Sequence, residues 1–112
     1  MGTMKGSDLG SVEQHVLLAV FRLRGKGYGV SIRDEIAARA ERDYSLGSIY
    51  AALERLEGKG YLTSEEGEPT AERGGRRKLY FDITAPGKRV LQDALNTTDK
   101  LREGIDLGGV PA

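Results

Sequence analysis

The chain has 112 residues, 38% hydrophobic and 30% charged, enough for one domain with a modest core and a well-solvated surface. It has no cysteine, which excludes a disulfide framework and a thiolate metal site, and no apolar run approaches the ~18 residues of a membrane span. Its 17 basic and 17 acidic residues cancel, which argues against a uniformly basic surface but not against a local basic patch.

Residues 1–8 read as a flexible N-terminus. The doubled methionine predicts a native start at Met4, and no apolar stretch follows before Val16, so no secretory signal is expected and the expected compartment is the cytoplasm. Ser11 is expected to cap a first helix, with Gln14 completing a capping box. Val12, Val16, Ala19, Val20 and Leu23 recur at helical spacing, Leu17 and Phe21 widen the stripe, and Gly25 and Gly27 end it. Ser31 opens a second helix, with Ile32, Ile36 and Ala40 on one face and Arg33, Asp34, Glu35 and Arg39 on a solvated remainder. Ser45 caps a short third helix whose stripe is Leu46, Ile49, Leu53 and Leu56, closed by Lys59-Gly60.

After Gly60 the periodicity changes. Residues 61–64 and 78–83 read as two strands, joined by a polar segment with Gly67, Pro69, Gly74 and Gly75 that suits a hairpin with a long tip. Thr84 caps a last helix with Pro86 in its first turn, and Val90, Leu91, Ala94, Leu95, Leu101 and Ile105 continue along it. Residues 108–112 read as a flexible tail. The predicted class is α+β, mainly α: a winged helix-turn-helix of three helices and a two-stranded wing over residues 9–83, then a C-terminal helix over 84–107.

That order points to DNA. The third helix of such a fold lies in the major groove while the hairpin reaches the neighbouring backbone or minor groove. With its apolar stripe buried, the third helix turns out Ser48, Ala51, Glu54 and Arg55. Small residues allow close approach, Ser45 and Ser48 can bond phosphates or base edges, and Tyr50 borders the stripe. Tyr50 alone reads equally as an ordinary boundary tyrosine, and Arg55 is placed for a phosphate or for a neighbouring glutamate. Arg73, Arg76, Arg77 and Lys78 gather on a glycine-loosened tip suited to a narrow groove of negative potential. Such a tip taken alone is also read as a solvated turn. His15 has no cysteine or second histidine to join it, so it reads as a surface or interface residue rather than a metal ligand.

These residues carry a resemblance. The chain resembles PadR-type transcriptional regulators over about residues 9–105, through Leu9-Gly10, Tyr28-Gly29, the run from Gly47 to Glu57, and Lys59-Gly60-Tyr61-Leu62. It does so again in Gly74-Gly75-Arg76-Arg77-Lys78-Leu79-Tyr80 and Ile83-Thr84-Ala85-Pro86-Gly87. The resemblance implies a homodimeric repressor that leaves a palindromic operator in double-stranded DNA when an effector binds. It implies that Ser48, Tyr50, Arg76, Arg77 and Lys78 face DNA; Ser45, Arg55 and Arg73 join them on position and charge. A single C-terminal helix matches the short subgroup, in which that helix packs near helix one of the partner. Val90, Leu91, Ala94, Leu95, Leu101 and Ile105 are then the expected interface, since a small monomer offers little core to bury them. No aromatic residue follows Phe81 and there is no tryptophan, which departs from family members that stack flat drugs between central helices.

Two other classes compete. A winged helix that binds protein is favoured by the neutral net charge and by Glu65, Glu66, Glu68 and Glu72, and opposed by Arg76, Arg77 and Lys78. An enzyme would need a nucleophile with a base, or a metal cluster, and His15 stands alone. No cofactor, metal or membrane partner is expected.

Overall fold

In the computed structural model, which describes residues 9–69 and 77–108, helix α1 (Ser11–Leu23) is the pillar against which the other helices and the second strand pack. Helices α2 (Gly29–Ala40) and α3 (Leu46–Gly58) lie against it, followed by strands β1 (Leu62–Pro69) and β2 (Arg77–Ile83) and helix α4 (Ala85–Arg102). This is the expected order, and the architecture is the winged helix: four helices with one two-stranded antiparallel sheet.

Most of the predicted stripes meet in one core, while Phe21 of α1 and Ala40 of α2 are exposed. Val16, Leu17 and Val20 of α1, Ile32 and Ile36 of α2, and Ile49, Ala52, Leu53 and Leu56 of α3 are buried together with Leu62, Phe81 and Ile83 of the sheet. Removing each large aliphatic group from water stabilises the fold by about 1.5–3 kcal/mol. The strands pair Leu62 with Ile83, Ser64 with Phe81 and Glu65 with Tyr80, with an irregularity between Glu66 and Pro69. The Phe81 N–H also donates to the Gly27 carbonyl at 2.9 Å, which ties the loop after α1 to the wing.

Several boundaries differ from the sequence reading. α1 is capped at Gly10, not Ser11: Glu13, rather than Gln14, reaches back to accept the Gly10 N–H at 3.0 Å. α2 starts two residues before Ser31, because Ser31 sits at the third position and bonds back to the Tyr28 N–H at 3.0 Å. β1 runs on through Glu65, Glu66 and Gly67, where ladder bonds to β2 hold a stretch of weak strand propensity. α4 stops at Arg102 rather than 107, since Glu103 turns extended and Gly104 takes a φ of 77°. Ile105 therefore lies past the helix.

The start of α4 is fixed closely. Thr84 Oγ1 accepts the Gly87 N–H at 3.0 Å and donates to the Gly60 carbonyl at 2.7 Å. Gly87 is buried against the Tyr61 carbonyl and Ile83, so any side chain at this position would meet backbone. In consequence Leu91 and Ala94 face inward and are buried in the core of this same chain, with Val90 and Leu95 half-buried beside it. The sequence reading gave all four to a partner. Leu91 and Ala94 are instead used within the chain. Leu101 and Ile105 are exposed, at 72% and 59%.

Candidate nucleic-acid interface

Helix α3 begins with a cap that also organises its outer surface. Ser45 Oγ accepts the Ser48 N–H at 3.0 Å and donates to Ser48 Oγ at 3.0 Å, so Ser48 keeps its own hydroxyl proton to give. Ser45, Gly47, Ser48, Ala51 and Glu54 are exposed, a small polar surface opposite Ile49, Leu53 and Leu56. A helix start presents backbone N–H groups and the positive end of the dipole, both favourable to phosphate.

Tyr50 rests on helix α2. It is 49% exposed, and the phenolic end of its ring lies against Gly29 in the first turn of α2. A methyl group at residue 29 would overlap the Tyr50 ring and hydroxyl, so the glycine of the Tyr28-Gly29 pair is what lets the two helices share this contact. Next to Gly29 in the chain, Tyr28 meets Tyr80 of β2 edge-on, ring centroids 5.8 Å apart. Tyr80 in turn lies over Gly67 of β1. Lys78 Nζ stands 5.0 Å from the centre of the Tyr28 ring, a cation–π contact. One ridge of tyrosines thus joins α3, the first turn of α2 and the stem of the wing.

The remaining expected residues fall out as follows. Arg77 opens β2 opposite Pro69, while Arg73 and Arg76 lie outside the described residues. Arg55 Nε donates to Glu13 Oε2 at 2.9 Å, and half of its side chain stays exposed. Glu13 is 5% exposed, and Lys59 Nζ approaches the same oxygen at 3.9 Å. Burial alone would push the Glu13 carboxyl up. The Arg55 hydrogen bond, the Gly10 N–H and the charges of Lys59 and Arg55 outweigh it and hold the group below its ordinary value. One carboxylate therefore closes the start of α1 and anchors the end of α3.

Sequence reasoning missed Glu13 and did not give Tyr28 a role. For Tyr28 a signal was present in its pairing with Gly29. For Glu13 there was none, since its partner stands 42 residues away. Among the described residues no group of histidine, cysteine and carboxylate side chains is arranged to hold a metal ion, and no helix is long and apolar enough to cross a membrane.

Comparison with known proteins agrees with this architecture. Residues 17–93 match the sequence profile of the Transcriptional regulator PadR-like family. An uncharacterized protein of Lysinibacillus sphaericus is 33% identical over 82 residues, covering 71% of this chain and 72% of the relative. The crystal structure of a PadR family transcriptional regulator from Eggerthella lenta superposes with a TM-score of 0.65 at 27% identity, over 80% of this chain and 75% of that one. A PadR family transcription regulator from Clostridium difficile shares the fold with a TM-score of 0.70 at 23% identity, over 84% and 93% of the two chains.

Proposed function

The chain belongs to the PadR-like family of transcriptional regulators, and we propose that it binds double-stranded DNA as a homodimer through the ridge joining α3, α2 and the wing. The observation that carries this reading is the continuity of that ridge: Ser48 and Tyr50, the first turn of α2, then Tyr28, Tyr80 and Lys78. In this reading Ser45, Ser48 and Tyr50 enter the major groove, and Arg73, Arg76, Arg77 and Lys78 meet the flanking phosphates or the minor groove. Arg55 contributes its half-exposed guanidinium only at the edge, since Glu13 already holds its Nε.

Residues 9–83 act as the reading head and 84–107 as the dimerisation arm. Leu101 and Ile105, with the half-buried Val90 and Leu95, supply the apolar surface for the partner. Phe21 of α1, 52% exposed, stands between a groove of ≈ 220 Å³ shared with α4 and one of ≈ 340 Å³ shared with α2, and both grooves need cover. Two heads related by a two-fold axis suit a palindromic operator, and an effector that changes their spacing releases it, so the protein acts as a cytoplasmic repressor and not as a catalyst. A protein-binding winged helix is the second reading, favoured by Glu65 and Glu66 exposed along the wing.

The test is fluorescence anisotropy on the DNA upstream of the protein's own gene and on a scrambled duplex, over a salt series. Tight, salt-dependent binding that prefers the native duplex is expected. Weak binding that ignores both salt and sequence would transfer the fold to the second reading.

A further inference from the structure

His15 is the chain's single histidine, and the interface above does not use it. It is half-buried on α1, and its Nδ1 is hydrogen-bonded to the Tyr44 hydroxyl at 2.7 Å, the rings lying 5.8 Å apart and tilted by 42°. Tyr44 belongs to the turn between α2 and α3, and its next residue is Ser45, the cap whose Oγ holds the Ser48 N–H. The Arg42 guanidinium stands over the Tyr44 ring, 5.3 Å from its centre. A chain of contacts therefore runs from α1 through His15 and Tyr44 to the first turn of α3.

We propose that His15 and Tyr44 are positioning residues for DNA binding: together they strut the α2–α3 turn against α1, set the start of α3, and release it when His15 gains a proton. This rests on the DNA-binding reading given above. Position explains the first part, because displacing Tyr44 drags the cap and with it Ser45, Ser48 and the Tyr50 contact. Charge explains the second. The charged groups lining the groove beside His15 are Arg22 of α1 and Glu35 and Arg39 of α2, and the turn adds Arg42. Glu35 is the carboxylate of that set, and it is shared between Arg22 at 3.0 Å and Arg39 at 3.2 Å. An imidazolium at residue 15 thus meets an excess of positive charge in a partly dry setting. Burial first, and Arg42 second, hold His15 below the ordinary imidazole range. Linkage makes this reciprocal: an arrangement that disfavours the proton is itself disfavoured by it. The neutral ring keeps the strut, and acid favours arrangements with the turn moved away.

The experiment measures affinity for the native upstream duplex from pH 8 to pH 5 at fixed ionic strength, for the full-length wild-type chain, His15→Gln and Tyr44→Phe. Wild-type affinity should fall several-fold on acidification, with ~10-fold per unit of pKa displacement as the ceiling. His15→Gln keeps a hydrogen-bonding side chain without the titration. Its affinity at pH 8 serves as its own baseline, and in acid that affinity should hold level or rise as the protein gains positive charge. Tyr44→Phe should bind several-fold more weakly at pH 8. Superimposable pH profiles for wild type and His15→Gln, or wild-type affinity in Tyr44→Phe at pH 8, would overturn the proposal while leaving the DNA reading intact. A wild-type chain that binds neither native nor scrambled duplex at any pH overturns the DNA reading, and this inference with it.

Discussion

At residue 13 a single carboxylate accepts from the Gly10 N–H and from Arg55 while 5% exposed, so several bonds depend on one side chain. Glu13→Ala should lower stability by about 1–3 kcal/mol in urea unfolding, the usual cost of losing charged hydrogen bonds. Because the folded Glu13 pKa is depressed, its stabilisation is present above the unfolded value of 4.5 and is lost as pH falls through the lower folded value. Wild type should therefore lose its margin over Glu13→Ala below pH 4.5; a constant margin down to strong acid would contradict the assignment. His15 has the same sign, since its folded value is also lowered: its contribution fades as pH falls below 6.5. Gly29 tests a different contact. Gly29→Ala adds a methyl group where the Tyr50 ring lies, and the half-exposed ring rather than α2 should yield. DNA affinity should then drop about fivefold, roughly 1 kcal/mol, with thermal stability nearly unchanged. An unaltered affinity would remove Tyr50 from the interface.

Elements impose their own tests. The start of α3 depends on one cap, and Ser45→Ala should cost about 1 kcal/mol of stability, read from the same denaturation curves. The wing divides into a stem and a tip. Its stem is held by Tyr28 against Tyr80 and Lys78, so the proposed phosphate contact of Lys78 would compete with its packing on Tyr28. The sequence between and at the start of the strands adds Arg73, Arg76 and Arg77. Arg76→Ala with Arg77→Ala should weaken binding on every sequence alike and reduce the slope of log affinity against log salt by about 2, one counterion for each phosphate lost. A slope identical to wild type would mean that these arginines meet no phosphate.

At the scale of the whole molecule, the question is what covers α1 and the far end of α4. Leu95 is half-buried on the chain's own core, so an acid there would disturb both fold and assembly. Leu101 is 72% exposed and Ile105 lies beyond the helix, so charges at those two positions leave the monomer core untouched. Leu101→Asp with Ile105→Asp should sediment as a monomer with unchanged helix content, and should lose affinity for a palindromic duplex because one head replaces two. A dimer of normal stability would exclude this end of α4 from the interface.

The sequence by itself determined the order of elements, most of the stripes that α1, α2 and α3 bury (Phe21 and Ala40 are exposed), the caps at Ser45 and Thr84, and the small polar outer face of α3. Those features depend on spacing within one or two turns, and local spacing is what a chain displays along its length. Tertiary structure decided how far β1 runs, because its ladder to β2 overrides weak local preference there, whereas the ends of α2 and α4 are set by local bonds and backbone at Ser31 and Gly104. It also decided that Leu91 and Ala94 belong to the core rather than to a partner. An apolar stripe says that a helix face must be covered, but not by which chain. Arg55 finding Glu13, His15 finding Tyr44 and Tyr50 resting on Gly29 were decided in the same way. Each joins residues at least 21 positions apart, so only the packing of α1, α2 and α3 brings the partners together.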